Sequence, residues 1–193
     1  MSRPATNRPT TKPIHQVRRR DRSMDDDWVR AYLGKAPHGV LATSRDGQPF
    51  VNSNIFVYDP DAHAVYLHTA RAGRTPSNVA GGTPVCFSCF SMGRLLPAEE
   101  ALEFSVEYEG VVVFGNGRIL DDHTESRHAL QLLMDKYAPH LRPGVHYRPI
   151  TDNELDRTAV YRIDISAWSG KKKSAPADFP GAFWYGNDGD SDT

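Results

Sequence analysis

The fold of this chain is decided by one stretch, Val65-Tyr66-Leu67-His68-Thr69-Ala70-Arg71-Ala72-Gly73-Arg74-Thr75-Pro76-Ser77-Asn78. It begins as a buried strand, ends in a polar and basic turn, and continues into a short helix in which Pro76 suits the first turn. The unpaired N–H groups of a helix N-terminus favour an anion, and Arg71 and Arg74 add guanidinium groups that suit a phosphate. The stretch therefore predicts a phosphate-bearing cofactor held at a strand end. The alternative is a turn whose arginines only face water.

The flanking segments carry the alternation and the turn signals of an antiparallel sheet. Arg45-Asp46-Gly47-Gln48 is typical of a tight hairpin turn, and Gly34 is expected to end the first helix. Strands are predicted at 39–44, 49–58, 64–69, 85–91, 104–120 and 159–165, and helices at 25–33, 75–80, 122–137 and 152–156. About six strands at hairpin spacing with few helices predict a mainly β (α+β) fold, a small closed antiparallel barrel of six strands.

The 193 residues fit one domain, which we expect at 24–173, between a basic arm at 1–23 and a C-terminal extension at 174–193. Residues 1–22 carry seven basic side chains and one acidic one, a composition typical of a disordered arm. The alternative is an arm that touches nucleic acid or an acidic face of a partner. The extension is expected to be partly disordered, although Phe183-Trp184-Tyr185 could dock on the domain.

Charge and motifs exclude several classes of protein. A net charge of −1 gives no overall field that favours nucleic acid or a membrane. The chain has no run of 18 apolar residues and no apolar signal region at its start, so we expect a cytoplasmic protein. It also lacks G-x-G-x-x-G, P-loop, G-x-S-x-G and H-E-x-x-H patterns, so nothing predicts a Rossmann or P-loop nucleotide site or a hydrolase.

The two cysteines, Cys86 and Cys89, have the C-x-x-C spacing of a redox pair or of half a zinc site. They lie in a strand-like run, however, where positions i and i+3 face opposite sides of a sheet. No second C-x-x-C is present to complete four zinc ligands. We therefore interpret both as structural thiols and predict no metal site.

Three further features could contact a ligand. His68 closes a strand beside the basic turn, where it could contact a cofactor, carry a proton, ligate a metal or be purely structural. Asn52-Ser53-Asn54 is unusual in a strand and favours hydrogen bonding to a ligand, unless it forms an edge that faces water. Trp168 and Lys171 place a flat aromatic ring near a cation, which suits a flat ring system with an anionic chain, unless they belong to a solvated loop.

Several stretches follow one another in a characteristic order and spacing between about Asp25 and Lys173. They are His38-Gly39-Val40-Leu41-Ala42-Thr43, Asp46-Gly47-Gln48-Pro49 to Tyr58, Tyr66-Leu67-His68-Thr69 to Gly73-Arg74, Asn78, Leu102 to Gly115, Arg157-Thr158-Ala159-Val160-Tyr161 and Trp168-Ser169-Gly170-Lys171. In this order they resemble the FMN-binding split-barrel family related to pyridoxamine 5′-phosphate oxidase. More narrowly, they are similar to the Nim-type 5-nitroimidazole resistance proteins.

The resemblance implies an antiparallel split β-barrel with a few flanking helices that forms a homodimer, with FMN in a groove between the subunits. It implies an oxidoreductase in which FMN takes a hydride from NAD(P)H and passes electrons to a small acceptor, a nitroaromatic being one candidate. His68 would be the catalytic residue, orienting substrate or supplying a proton. The implied cofactor-binding residues are Asn52, Ser53, Asn54, Ile55, His68, Thr69, Arg71, Gly73, Arg74, Asn78, Trp168 and Lys171.

The chain departs from the family pattern at two places. Relatives often carry Tyr-Arg-Ser-Val where this sequence has Tyr108-Glu109-Gly110-Val111, and Gly-Arg-Lys where it has Gly73-Arg74-Thr75. Both changes remove a cation, and Glu109 would repel a phosphate if it faced one. These departures leave open a carrier of flavin, deazaflavin or haem without turnover, with His68 as an axial ligand. A redox barrel whose basic arm contacts nucleic acid is a third reading.

Overall fold

The computed structural model describes residues 13–186, which form eight strands and four α-helices after a 3₁₀ turn at Arg20–Arg22. The strands are β1 (Ser23–Met24), β2 (Gly39–Arg45), β3 (Gln48–Asn54), β4 (Val57–Asp59), β5 (Ala64–Ala70), β6 (Thr83–Leu96), β7 (Ser105–Ile119) and β8 (Thr158–Lys173). The helices are α1 (Asp26–Lys35), α2 (Arg74–Val79), α3 (His123–Tyr137) and α4 (Asp152–Arg157). The mainly β fold is confirmed, with eight strands in the described residues instead of six.

All strand pairs are antiparallel, and the sheet runs in the order β3-β2-β6-β7-β8-β5-β4, with β1 added to β8. The sheet has two ends, β3 and β4, so it is split rather than closed. The sheet stays open because the segment 49–58, which was predicted as a single strand, forms two strands. Its first half, β3, pairs with β2, whereas its second half, β4, pairs with β5 at the other end of the sheet.

The hairpin between β2 and β3 has the predicted geometry. Asp46 and Gly47 both have positive φ, 54° and 76°, as a two-residue type I′ turn requires. Arg45 and Gln48 consequently face each other across the last rung of this hairpin. Two side chains that are separated by a turn in sequence are thereby placed at one end of the sheet.

Strand β5 is buried on both faces, which explains why its residues 64–67 are all apolar or aromatic. Val65 and Leu67 belong to the inner core of the barrel, whereas Ala64 and Tyr66 pack in a second cluster with α3. Because side chains alternate along a strand, His68 follows Tyr66 toward the α3 side and Thr69 follows Leu67 toward the interior.

The crossover between β3 and β4 is fastened by two residues at the end of α3. The Phe56 N–H donates to Tyr137 Oη at 3.1 Å, and Lys136 Nζ donates to the Phe56 carbonyl at 3.0 Å and to the Ala36 carbonyl at 2.8 Å. Tyr137 Oη also donates to the Pro37 carbonyl at 2.7 Å. The crossover and the segment after α1 are therefore held by the same two side chains.

Helix α1 begins as predicted, since the Asp25 side chain accepts from the Trp28 N–H at 2.9 Å. It does not end at Gly34, which was expected to stop it. The helix continues to Lys35 and ends before Pro37, because the residue that precedes a proline avoids helical geometry.

The predicted arm and extension both contribute to the folded domain. Within the arm, Ser23 pairs with Lys171 of β8 and extends the sheet. This pairing is possible because β5, which pairs with the same edge of β8, reaches only as far as Asp164. In the extension, Arg94 donates to the Pro176 carbonyl at 2.9 Å, and Phe183 forms a bridge with Leu95. Residues 1–12 and 187–193 lie outside the described residues, and the boundaries of the arm and the extension stay predictions.

Among residues 13–186, no helix is both long and apolar enough to cross a membrane.

Lys136 should make stability depend on pH. Burial lowers the pKa of Lys136 to about 8 from an ordinary value of 10.5. Between pH 8 and pH 10.5 the Lys136 amine is more often protonated in the unfolded chain than in the folded one. Its contribution to the free energy of unfolding therefore rises with pH in this range. We expect the difference in unfolding free energy between the wild type and Lys136→Met to grow from pH 8 to about pH 10, as measured by urea denaturation. A flat or shrinking difference would contradict this assignment.

Candidate functional site

A cleft of about 490 Å³ lies where the β2–β3 hairpin meets α2. We call it the arginine cleft, because Arg45 from the hairpin and Arg74 from the start of α2 both line it. The other lining residues are Asp46, Gln48, Gly73, Ser77 and Asn78. Gly73 has φ of +135°, a conformation that favours glycine, so the turn into α2 depends on this residue.

Two hydrogen bonds, one buried and one half-buried, fasten α2 to the hairpin beneath this cleft. Asn78 Nδ2 donates to Thr43 Oγ1 at 2.8 Å, and Asn52 Nδ2 donates to Thr75 Oγ1 at 3.0 Å. Asn78, Thr43 and Thr75 are each buried. Asn52 and Asn78 were predicted to bind a cofactor, and each amide donates one hydrogen bond to a protein hydroxyl that positions α2.

The two guanidinium groups approach the cleft from different sides. The Arg74 guanidinium lies over the Phe50 ring, 5.6 Å from its centroid, and Arg45 Nη1 donates to the Ser77 carbonyl at 3.1 Å. Each guanidinium carries five N–H donors, so these contacts leave most donors available for an anion. Since α2 has only six residues, anion affinity here depends on the side chains rather than on a helix terminus.

Arg45 was missed by sequence reasoning, and Arg71, which was predicted at this site, does not line the cleft. The turn signal at Arg45 was visible, but its proximity to α2 depends on the packing of the hairpin. Arg71 Nη2 donates to the Leu155 carbonyl at 3.0 Å, at the C-terminal end of α4. It therefore contacts a different part of the molecule. Thr69 is also engaged elsewhere, since its Oγ1 lies 2.7 Å from Tyr161 Oη in the barrel interior.

Two predicted site residues present buried polar atoms without a partner. In the described part of the chain, His68 Nδ1 and Asn54 Nδ2 are buried and have no hydrogen-bond partner. Burial lowers the pKa of His68, so its imidazole is neutral at pH 7. Buried polar groups are normally satisfied, and both atoms therefore mark positions where a ligand is expected. Ser53, in contrast, is exposed on the opposite face of β3, and Ile55, just after the end of this strand, is also exposed.

The split in the sheet leaves an open backbone edge next to these groups. Strand β4 pairs with β5 only from Ala64 to Tyr66, so no strand in residues 13–186 pairs with the same edge from Leu67 to Ala70. Backbone N–H and C=O groups at such an edge can bond to a ligand. This edge leads directly into the turn at Gly73.

Trp168 and Lys171 do not line the arginine cleft. Trp168 is in register with Val113, Phe87 and Leu41, so three strand spacings, about 14 Å, separate it from β2. The indole Nε1 donates to Asp26 Oδ1 at 2.8 Å, and the Arg30 guanidinium lies 5.4 Å from the ring centroid. Lys171 is three residues farther along β8, so its side chain faces the opposite side of the sheet.

Glu109 does not oppose an anion in the arginine cleft. Its carboxylate is bonded to Lys172 Nζ at 2.8 Å and to Lys35 Nζ at 3.0 Å. Hydrogen bonds from Lys172 and Lys35, despite partial burial, lower the pKa of this carboxyl group. The two lysines therefore balance the charge by which Glu109 was expected to repel a phosphate.

The cysteines are structural thiols, as interpreted from the sequence. Cys89 is buried and Cys86 is half-buried on the opposite face of β6, and neither forms a disulfide bond. Burial raises the pKa of Cys89 to about 11, so this thiol is protonated at neutral pH. In the described ranges, no group of three or more side chains is arranged to hold a metal ion.

The family can now be identified. The family model described as Pyridoxamine 5′-phosphate oxidase matches residues 25–172. The chain belongs to this family. The match spans α1 and nearly all of the sheet, so the predicted relationship is confirmed. No curated protein matches the sequence.

Solved structures show the same fold. The flavocytochrome Anf3 from Azotobacter vinelandii is 24% identical with a TM-score of 0.71, and the match covers 84% of this chain and 74% of Anf3. A protein from Mycobacterium smegmatis described as binding FAD and haem is 23% identical, with a TM-score of 0.71 and coverage of 80% and 74%. A candidate 5-nitroimidazole antibiotic resistance protein from Bacteroides thetaiotaomicron is 19% identical, with a TM-score of 0.63 and coverage of 78% and 86%.

Asn78→Ala should destabilise the protein by about 1–3 kcal/mol, because it removes a buried hydrogen bond to Thr43 and leaves that hydroxyl without its donor. Urea denaturation of the purified variant measures this change. Ser77→Ala is the matched control, since Ser77 is exposed and bonds only to the Gly73 carbonyl of its own turn. Equal stability of the two variants would show that the Asn78–Thr43 bond does not fasten α2.

Proposed function

We propose that this family member is a flavin-dependent oxidoreductase that binds FMN, takes electrons from NAD(P)H and passes them to a small acceptor such as a nitroaromatic. The observation that carries the proposal is the pair of buried polar atoms without a partner, His68 Nδ1 and Asn54 Nδ2, on the strands that flank the split. A bound flavin would supply hydride acceptance and electron transfer, and the protein would bind and orient it. We also propose that the protein is cytoplasmic.

The arginine cleft fits the phosphate of a flavin nucleotide. Arg45 and Arg74 provide two guanidinium groups that can each donate more than one hydrogen bond to phosphate oxygens. Gln48 and Ser77 add neutral donors on the same walls. Asp46 is the one acidic residue of the cleft, and its side chain lies 3.8 Å from the Arg45 guanidinium, so its charge is partly balanced.

The split between β3 and β5 fits the polar edge of a flat ring. Asn54 can donate from its amide, and the backbone of 67–70 can both donate and accept. His68 is neutral at pH 7, so its imidazole can accept a proton or a hydrogen bond on one nitrogen and donate from the other. We assign His68 the role of orienting the acceptor or supplying a proton to it.

A homodimer would explain the position of Trp168 and Lys171. Neither residue lines the arginine cleft of its own chain, and their side chains face opposite sides of β8. A second copy could place its Trp168 end against the first copy's arginine cleft. We therefore propose that each cofactor contacts both protomers.

Loss of either cleft arginine should release the flavin. We expect Arg74→Ala and Arg45→Ala each to weaken FMN binding about 10- to 150-fold, the factor given by about 1.5–3 kcal/mol for a hydrogen bond to a charged group. Binding of riboflavin, which has no phosphate, should be unchanged. Absorption spectra of the purified proteins and isothermal titration of the flavin-free forms measure both ligands.

Arg148→Ala is the control for this experiment, because Arg148 is exposed and pairs with Glu154 away from the cleft. Full flavin retention in both cleft variants would refute the phosphate assignment. A colourless wild type that also ignores added FMN and FAD would refute the flavin proposal itself.

Mixed dimers test the shared site. If each cofactor contacts Arg74 of one protomer and Trp168 of the other, a homodimer of either variant, Arg74→Ala or Trp168→Ala, should lack tightly bound FMN. An equal mixture, unfolded and refolded together, should regain about a quarter of the wild-type sites, because half of the dimers are mixed and each mixed dimer has one intact site. Flavin absorbance per protein measures the recovery. No recovery, with mixed dimers detected by native mass spectrometry, would show that both residues act within one chain.

A haem-carrying flavoprotein is the second candidate. Two structures with this fold are described as a flavocytochrome and as a protein that binds FAD and haem. In this chain, the neutral imidazole of His68 with its unpartnered Nδ1 is the group suited to be an axial ligand. The same absorption spectrum distinguishes the candidates, since a Soret band that His68→Ala removes would favour the haem carrier.

A further inference from the structure

The Trp168 side chain is contacted by four side chains that come from separate elements of the fold. From α1, Asp26 accepts from the indole N–H at 2.8 Å, and Arg30 lies 5.4 Å from the ring centroid. The Tyr58 ring of β4 meets the indole nearly edge-on, with centroids 5.9 Å apart and planes inclined by 67°. The His63 imidazole, from the turn between β4 and β5, lies 4.8 Å away at an inclination of 72°. We call these four residues the indole cradle.

His63 has a backbone conformation that most residues other than glycine avoid. Its φ is +46°, in the left-handed region, where Asp46 of the β2–β3 turn is the one other non-glycine residue in the range 13–186. Histidine tolerates this region better than most L residues do, but glycine adopts it without steric cost. Backbone conformations of this kind cluster where a side chain has a function, so this position points to a role for the imidazole.

Hydrogen bonds fix the turn that carries His63. Asp59 Oδ1 accepts from the Ala62 N–H at 3.2 Å, and the His63 carbonyl accepts from the Ile165 N–H of β8 at 3.4 Å. The side chain has a contact of its own, because Tyr58 Oη and His63 Nδ1 lie 3.4 Å apart. The backbone and the ring of His63 are therefore both held, and the imidazole edge is kept against the indole.

We propose that His63 is a positioning residue, which acts through Trp168 on the ring of the bound flavin. Edge-to-face aromatic contacts have a preferred geometry, so His63 and Tyr58 together set the plane of the indole. A side chain that is oriented by such supporting contacts can meet a flat ligand in one defined arrangement. The inference rests on the proposed function, since it assigns the flavin ring to Trp168. The indole cradle itself does not depend on a bound flavin.

The test is His63→Asn in the full-length protein, because asparagine also tolerates the left-handed backbone but lacks the ring. In the flavin-free protein, the indole N–H resonance of Trp168 should move in a ¹H–¹⁵N spectrum, in which Trp168→Phe identifies the peak. Affinities for FMN and for riboflavin should fall by the same factor, about 2- to 12-fold, the value of one aromatic pair. Isothermal titration measures both ligands. An equal effect on both separates a ring contact from the phosphate contact of the arginine cleft.

His140→Asn is the matched control, because His140 is exposed beyond the end of α3. It should change neither the Trp168 resonance nor the affinity for either flavin. Arg30→Met is an independent variant, since it removes the cation over the indole from a different element. It should weaken both flavins alike, and Arg30→Lys should keep most of the affinity because it keeps the cation.

Three results would overturn the inference. An unmoved Trp168 resonance in His63→Asn would show that the imidazole does not fix the indole. A moved resonance with unchanged flavin affinities would make the contact purely structural, and weaker FMN binding with unchanged riboflavin binding would place the effect at the phosphate. A failure of the proposed function is distinguishable from these results, because the wild type would then bind neither flavin. The positioning role would fall with it, and a moved resonance would leave the indole cradle as a structural contact.

Discussion

The fold depends on the hydrogen bonds that the backbone N–H and C=O groups of Phe56 make at the crossover from β3 to β4. Buried N–H and C=O groups without partners cost about 1–3 kcal/mol each, and Phe56 is fully buried and lies between β3 and β4, outside both strands. Lys136 and Tyr137 supply the missing partners from the end of α3. The chain can therefore leave β3 at one end of the sheet and begin β4 at the other, and this keeps the barrel split.

The split has a direct consequence for ligand binding. Because β4 begins late and covers only part of β5, the backbone of 67–70 stays open beside Asn54 and His68. The rigid parts lie elsewhere, in the buried bonds that join Asn78 to Thr43 and α2 to the hairpin. Exposed guanidinium groups are thus presented on a helix and a hairpin that hydrogen bonds fix to each other, as a preorganised anion site requires.

Local signals predicted much of the fold, whereas long-range packing decided the rest. The Asp46-Gly47 turn and the Asp25 cap follow from backbone chemistry within a few residues, and both are present. The break between β3 and β4 has no local signal, because its cause is Lys136, about 80 residues away in sequence. For the same reason Arg74 was predicted at the candidate site, Arg45 was missed, and Arg71 was placed there although it bonds to the far end of α4.

The candidate site residues lie at more than one place in the sheet. The arginine cleft carries two guanidinium groups beside the β2–β3 hairpin, whereas Trp168 is in register with Leu41 across three strand spacings, about 14 Å. Lys171 is three residues farther along β8, so its side chain leaves the sheet on the face opposite to that of Trp168. One small ligand within a single chain therefore cannot contact both side chains, and a second protomer is the simplest way for a cofactor in the cleft to reach this end of β8.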